Sequence, residues 1–182
     1  HPLTELVAAL IGARAIAVHP SLYGIAGAVL GWVLVLLAVL DIRHFWLPDR
    51  VNMPLVLAGL GAAWVFGAPP LLSAAIGAIA GYLLLTIINL LYRAMRDRDG
   101  LGGGDSKLMA AIGAWLGWEM LPLKLLLAST TGLIMVLIFA VRGREISGAD
   151  RLPFGAFLAL VAWPLWLASD ALGGILPGLC VA

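Results

Sequence analysis

Seven apolar stretches run along the chain, separated by short polar segments or by segments that contain glycine and proline. They cover residues 3–18, 22–40, 51–67, 71–91, 106–118, 121–141 and 154–169. The stretch 22–40 contains no charged residue. Several other stretches approach the length of roughly 20 residues that a helix needs to cross a bilayer. The pattern predicts an all-α fold, a polytopic membrane bundle of about six or seven transmembrane helices. Residues 1–182 are expected to form a single membrane-embedded domain.

The composition supports this prediction and excludes several classes of protein. Hydrophobic residues make up 63% of the chain and charged residues 12%, and the mean hydropathy is +1.06. These values are far from those of soluble domains. The basic residues are dispersed, so no basic face is available for nucleic acid. Cys180 is the only cysteine, which excludes an internal disulfide, and the three histidines show no ligand spacing. We therefore expect neither a metal nor a cofactor, and the first residues do not resemble a signal peptide.

Paired glycines occur four residues apart in three of the apolar stretches. Small residues at this spacing allow transmembrane helices to approach closely. We therefore expect close approach of neighbouring helices at these pairs: Gly27 and Gly31, Gly77 and Gly81, and Gly113 and Gly117.

The distribution of basic residues predicts the orientation of the bundle. Of the eleven lysines and arginines, only Arg14 and Lys124 lie outside three loops, at residues 41–50, 93–107 and 142–151. If every stretch crosses the bilayer once, these three loops lie on one face. The positive-inside rule assigns that face to the cytoplasm.

Two carboxylates are expected at this cytoplasmic face. Asp41 closes the second apolar stretch, and Asp105 follows the glycine run Gly102–Gly104 at the start of the fifth. Two carboxylates that come together can share a proton and activate a water molecule. The glycines can bend sharply or lie against an extended peptide. The alternative is a flexible turn whose aspartate caps the next helix.

Helix dipoles add a second argument about the two aspartates. Asp41 lies at a helix C-terminus, where the dipole opposes its charge, and Asp105 lies at a helix N-terminus, where the dipole favours it. Their proton affinities should therefore differ, as aspartic proteolysis requires.

Several segments together resemble the type IV prepilin leader peptidases, which are polytopic aspartic proteases of the GxGD group. The resemblance covers nearly the whole chain in the order of the family. It rests on residues 2–5, on Asp41 with Leu47–Asp49, on Gly102–Asp105 with Lys107 and Leu108, and on Pro153–Gly155 with Phe157–Ala159.

The resemblance implies an endopeptidase of the bacterial inner membrane whose active site faces the cytoplasm. Such an enzyme removes the basic leader of prepilins or pseudopilins, after a glycine that precedes an apolar helix, and serves type IV pili or type II secretion. Asp41 and Asp105 match the two catalytic aspartates of the family. The cysteine-bearing insert that the family links to N-methylation is absent from this sequence, so the resemblance implies the peptidase activity and does not extend to the methyltransferase activity.

Other residues near the two aspartates are candidates for substrate binding: Gly102, Gly103, Gly104, Asp49 and Lys107. Asp49 could replace Asp41 in the pair, although an N-cap of the following helix is the favoured role. Lys107 could tune the aspartates or extend to the membrane interface. The alternative functions are a preflagellin-type peptidase and a non-enzymatic membrane transporter or scaffold, although the sequence shows no internal repeat of the kind that transporters contain.

Overall fold

The computed structural model describes residues 2–96, 102–142 and 153–175 of the 182-residue chain. Within these ranges every regular element is an α-helix, which confirms the predicted all-helical bundle. The seven helices are α1 (Pro2–Val18), α2 (Leu22–His44), α3 (Asp49–Phe66), α4 (Leu71–Arg96), α5 (Gly103–Leu116), α6 (Leu121–Val141) and α7 (Phe154–Ile175).

Three of the described helices are long and apolar enough to cross a bilayer, namely α2, most of α4 and most of α6. Helix α7 contains a shorter apolar segment, Phe154–Ser169. Helix α5 is shorter still, because it has only 14 residues. Its length of about 21 Å is less than the hydrocarbon thickness of a bilayer. Three basic residues of the predicted cytoplasmic loops lie outside the described residues, namely Arg98, Arg144 and Arg151, and so does Cys180.

Two helix boundaries differ from the prediction in ways that affect the aspartates. Helix α2 continues past Asp41 to His44, because Phe45 adopts a left-handed conformation (φ 50°) and donates its N–H to the Asp41 carbonyl at 2.9 Å. Helix α5 begins at Gly103, so that Asp105 belongs to its first turn. Both aspartates are therefore held on helical backbone.

Helix α5 lies at the centre of the bundle. It packs against α3 and α4 on one side and against α7 on the other, while α2 packs against α1 and α7. All its residues from Asp105 to Leu116 are buried except Lys107. The first turn of α5 is thus fixed from several directions.

The close approach predicted from the glycine pairs is present. A Cβ atom at Gly77 would overlap the backbone of Gly113, and a Cβ atom at Gly113 would overlap that of Gly77. A Cβ atom at Gly81 would lie 2.6 Å from the Met109 carbonyl oxygen. These glycines allow the backbones of α4 and α5 to touch, which holds α5 in the core.

The opposite end of α5 is closed by buried polar contacts. The Ser73 hydroxyl donates to the Glu119 carboxylate at 2.5 Å, and Lys124 donates to the Ile112 carbonyl at 3.4 Å. Lys124 is 1% exposed. These contacts join α4, α5 and α6 at the end of the bundle that is distant from the aspartates.

Candidate active site

Asp41 is a buried carboxylate in the last turn of α2. It is 5% exposed, and its Oδ2 atom accepts the backbone N–H of Ala156 at 2.8 Å. Ala156 lies in the first turn of α7, where backbone N–H groups have no partner within the helix. The N-terminus of α7 therefore supplies the donors that satisfy Asp41.

Asp105 is equally buried, at 5% exposure, on the first turn of α5. Its Oδ2 atom accepts the backbone N–H of Gly102 at 3.1 Å, and its own N–H donates to the Gly102 carbonyl at 3.0 Å. Asp105 therefore caps its own helix from the third helical position, whereas the alternative interpretation of the sequence made it the N-cap, a position that Gly102 occupies. Capping occupies one carboxylate oxygen and leaves Oδ1 for other partners.

Gly155 brings the two carboxylates into one site. A Cβ atom at this glycine would lie 2.8 Å from Asp105 Oδ1 and 3.0 Å from Asp41 Oδ2. Because both oxygens lie so near one point, they are within about 6 Å of each other, the range in which one carboxylate raises the pKa of another. The backbone of Gly155 also forms hydrogen bonds with both aspartates.

The environment of Asp105 favours its protonated form. Burial, and then the neighbouring charge of Asp41, raise the pKa of Asp105 to about 7, against the opposing hydrogen bonds from Gly102 and Gly155. Asp105 lies outside the three candidate membrane spans. The dipole of α5, which the sequence argument used, is thus outweighed by burial.

The glycine run has two distinct environments. A Cβ atom at Gly104 would lie 2.6 Å from the Cβ of Leu47, so a side chain there would collide with the loop between α2 and α3. A Cβ atom at Gly103 would meet nothing within 4 Å. Gly104 is therefore a packing position, and Gly103 borders open space.

Asp49 and Lys107 contact each other and not the pair of aspartates. The Lys107 ammonium donates to Asp49 Oδ2 at 2.5 Å, and the Lys107 and Asp49 side chains are 29% and 59% exposed. The predicted N-cap role of Asp49 is wrong, because Pro48 occupies the cap and Asp49 is the first residue of α3. The ion pair joins the start of α3 to the start of α5.

The described residues contain no group of three or more His, Cys, Asp or Glu side chains that could hold a metal ion. The chemistry that the described site offers is that of two adjacent carboxylates with backbone donors. Such a pair can hold one proton between its members and polarise a water molecule or a carbonyl group.

Comparisons with known proteins identify the family of the chain. Residues 28–137, more than half of the chain, match the model of the type IV leader peptidase family. A prepilin leader peptidase/N-methyltransferase from Aeromonas salmonicida is 39% identical over 173 residues, which is 94% of this chain and 59% of the relative. Its counterpart from Burkholderia pseudomallei is 41% identical over 160 residues, 87% of this chain and 52% of the relative. The chain belongs to the type IV leader peptidase family.

Further comparisons define the extent of this relationship. The protein of the same name from Pseudomonas aeruginosa is 37% identical over 172 residues, covering 93% of this chain and 59% of the relative. The chain thus spans between half and three-fifths of the length of these relatives. No solved structure matches the chain.

The structure adds residues to the site that the sequence argument did not include. Gly155 and Ala156 contribute backbone groups, and Asn52 contributes a buried amide beside the glycine run. The sequence indicates the Pro153–Gly155 segment only through the family resemblance, without a role at the site. Its position at the start of an apolar stretch was the available signal, because helix N-termini bind anions.

Proposed function

We propose that this chain is the aspartic endopeptidase core of a prepilin leader peptidase. The proposed reaction is hydrolysis of one peptide bond between a basic leader and an apolar helix, after a glycine, at the cytoplasmic face of the bacterial inner membrane. The observation that carries the proposal is the meeting of Asp41 and Asp105 around Gly155. Membership of the family and the names of the relatives support the substrate class.

The proposed mechanism assigns different protonation states to the two aspartates. Asp105 carries the proton, because burial beside Asp41 raises its pKa to about 7. Asp41 is then the ionised member of a pair that holds one proton between two carboxylates, and the backbone N–H of Ala156 lies where it can stabilise that charge. We refer to the two residues as the dyad.

In this mechanism Asp41 removes a proton from a water molecule, which attacks the carbonyl carbon of the scissile bond. Asp105 donates its proton to the carbonyl oxygen, and a tetrahedral diol forms. When the carbon–nitrogen bond breaks, the proton held by Asp41 passes to the leaving amine and a diol proton returns to Asp105. The products are a leader with a C-terminal carboxylate and the shortened substrate with a free amine.

A cleavage assay tests the proposal directly. The purified protein in detergent is mixed with a peptide that carries a basic leader, a glycine and an apolar segment, and mass spectrometry locates the cut. We expect a single cut after the glycine that needs no added metal or cofactor. Absence of cleavage, or a cut elsewhere, would contradict the proposed specificity.

Cleavage should depend on pH as a bell whose alkaline side lies near the pKa of Asp105. As pH rises through about 7, Asp105 loses the shared proton and kcat falls. At low pH, protonation of the second member gives the acid side, and both midpoints belong to the pair. Initial rates between pH 4 and pH 9 with a saturating peptide measure this profile. A rate that stays constant up to pH 9 would contradict the assignment of the proton.

The proposed orientation predicts opposite labelling of two introduced cysteines. Ser21 lies between α1 and α2, and Arg50 lies in the first turn of α3, so the two residues are expected on opposite faces. With Cys180 replaced by Ser, an impermeant thiol reagent added to intact cells should label Ser21→Cys but not Arg50→Cys. The reverse pattern would show that the dyad faces the outside of the cell.

A further inference from the structure

A buried amide lies beside the glycine run. Asn52, in the first turns of α3, is 0% exposed, and its Nδ2 atom donates to the Gly104 carbonyl oxygen at 3.4 Å. Its Oδ1 atom is buried and has no hydrogen-bond partner within the described part of the chain. Asn52 thus makes one side-chain hydrogen bond across the interface between α3 and α5.

This arrangement is unfavourable if packing is the only purpose of the side chain. A buried acceptor without a partner destabilises a fold, and an apolar residue of similar size would avoid the cost. Elsewhere the interface between α3 and α5 contains apolar groups such as Leu55 and Trp115. The amide therefore has a role other than filling space.

The bond to Gly104 acts on the peptide group that precedes Asp105. The carbonyl of Gly104 and the N–H of Asp105 belong to one planar peptide unit, so an orientation imposed on the carbonyl also fixes the N–Cα bond of Asp105. The N–H at the opposite edge of this peptide unit is also held, because the Asp105 N–H donates to the Gly102 carbonyl at 3.0 Å. Asn52 and Gly102 together set the direction in which the Asp105 side chain leaves the backbone.

We propose that Asn52 is a positioning residue of the dyad, which orients the Gly104–Asp105 peptide and so sets the separation of the Asp105 and Asp41 carboxylates. The proposal rests on the proposed function in that it takes the two aspartates to be the reacting pair. Asn52 acts through Asp105 and does not touch the substrate. Its loss should therefore change kcat and the pH profile and leave KM nearly unchanged.

Two substitutions of the same shape isolate the hydrogen bond. Asn52→Thr and Asn52→Val differ only in that the threonine hydroxyl can donate to the Gly104 carbonyl. We expect the valine variant to lose about 100-fold in kcat, as a displacement of about 1 Å in a reacting group does. The threonine variant should retain at least about ten times the kcat of the valine variant. The midpoints of the pH profile should shift in the valine variant.

Trp115→Phe is the matched control. The Trp115 indole donates to the Leu55 carbonyl at 3.0 Å, so this variant also removes one buried side-chain hydrogen bond between α3 and α5. Its site lies about 15 Å along α5 from Asp105. We expect Trp115→Phe to lower the melting temperature without changing the pH profile. Equal kcat values for the two Asn52 variants, or a loss in Trp115→Phe as large as in Asn52→Val, would overturn the proposal.

A measurement that does not need catalysis separates this proposal from the proposed function. Carbon-13 NMR of labelled aspartate carboxyls, assigned with Asp105→Asn, follows the titration of Asp105 in each variant. A changed midpoint in Asn52→Val supports positioning even if the wild-type protein cleaves no peptide. If the valine variant does not fold, Asn52→Ala takes its place, because the smaller alanine also lacks a donor to the Gly104 carbonyl. An unchanged midpoint there would overturn the proposal.

Discussion

Replacement of Asp41 or Asp105 by Asn is expected to abolish leader cleavage. Asparagine keeps the size of the side chain and one oxygen that can accept the Ala156 or Gly102 N–H, so the bundle should still form. It cannot exchange a proton near neutral pH, which removes both activation of water and protonation of the carbonyl. We expect a loss of at least about 1,000-fold in kcat, about 4 kcal/mol in the barrier.

The double variant should be no less active than either single variant, because members of one catalytic unit are not additive. Asp49→Asn is the matched control: it removes a carboxylate from the same face, but one that is 59% exposed and paired with Lys107. It should retain measurable cleavage, since an exposed ion pair contributes little. Expression and detergent stability are compared for all variants. Normal cleavage by both Asn variants of the dyad would refute the protease mechanism and favour the scaffold alternative.

Much of the fold could be predicted from local sequence alone. A long apolar stretch is stable in a bilayer as a helix, so the positions of α2, α4 and α6 follow from composition and length. The glycine pairs also predicted close approach of helices, because a missing side chain leaves room for a neighbouring helix. The contacts of Gly77 and Gly81 with α5 illustrate this.

Of the candidate site, the sequence could predict only that the two aspartates share a face, because the direction of the chain determines that face. Asp41 ends one predicted crossing and Asp105 begins another, so the prediction that they share a face came from counting the crossings between them. Which groups complete the site depends on packing between distant segments. The pairing of Asp49 with Lys107 spans 58 residues, and the bond from Ala156 to Asp41 spans 115. No periodicity in the sequence encodes such contacts.

The N-terminus of α7 is a second helix N-terminus at the site, and the prediction from helix dipoles did not include it. The dipoles of α2 and α5 alone favour the negative charge of Asp105 over that of Asp41. The structure places the N-terminus of α7 against Asp41, while burial and the neighbouring charge of Asp41 raise the pKa of Asp105 to about 7, so the dipole of α5 alone does not decide which carboxylate is ionised. Gly155 allows α7 to approach the aspartates this closely, so it should also be sensitive to substitution.

Gly155→Ala is expected to lower kcat about 100-fold, or about 2.7 kcal/mol in the barrier. The added Cβ atom would lie 2.7 Å from Leu47 Cδ1, 2.8 Å from Asp105 Oδ1 and 3.0 Å from Asp41 Oδ2. The leucine methyl group can rotate away, but the carboxylates can yield only by separating from each other or from the N-terminus of α7. Helix α7 itself should tolerate the change, because alanine favours helix more than glycine does.

Gly61→Ala is the matched control for this prediction, since Gly61 lies within α3 and its added Cβ atom would meet nothing within 4 Å. It should cleave at the wild-type rate with equal or greater stability. The comparison uses kcat, KM and melting temperature in detergent, and Gly155→Val should be less active than Gly155→Ala because its larger side chain displaces the carboxylates further. Wild-type kcat in Gly155→Ala would mean that the carboxylates move without consequence. The N-terminus of α7 would then be a packing contact that the ionised state of Asp41 does not need.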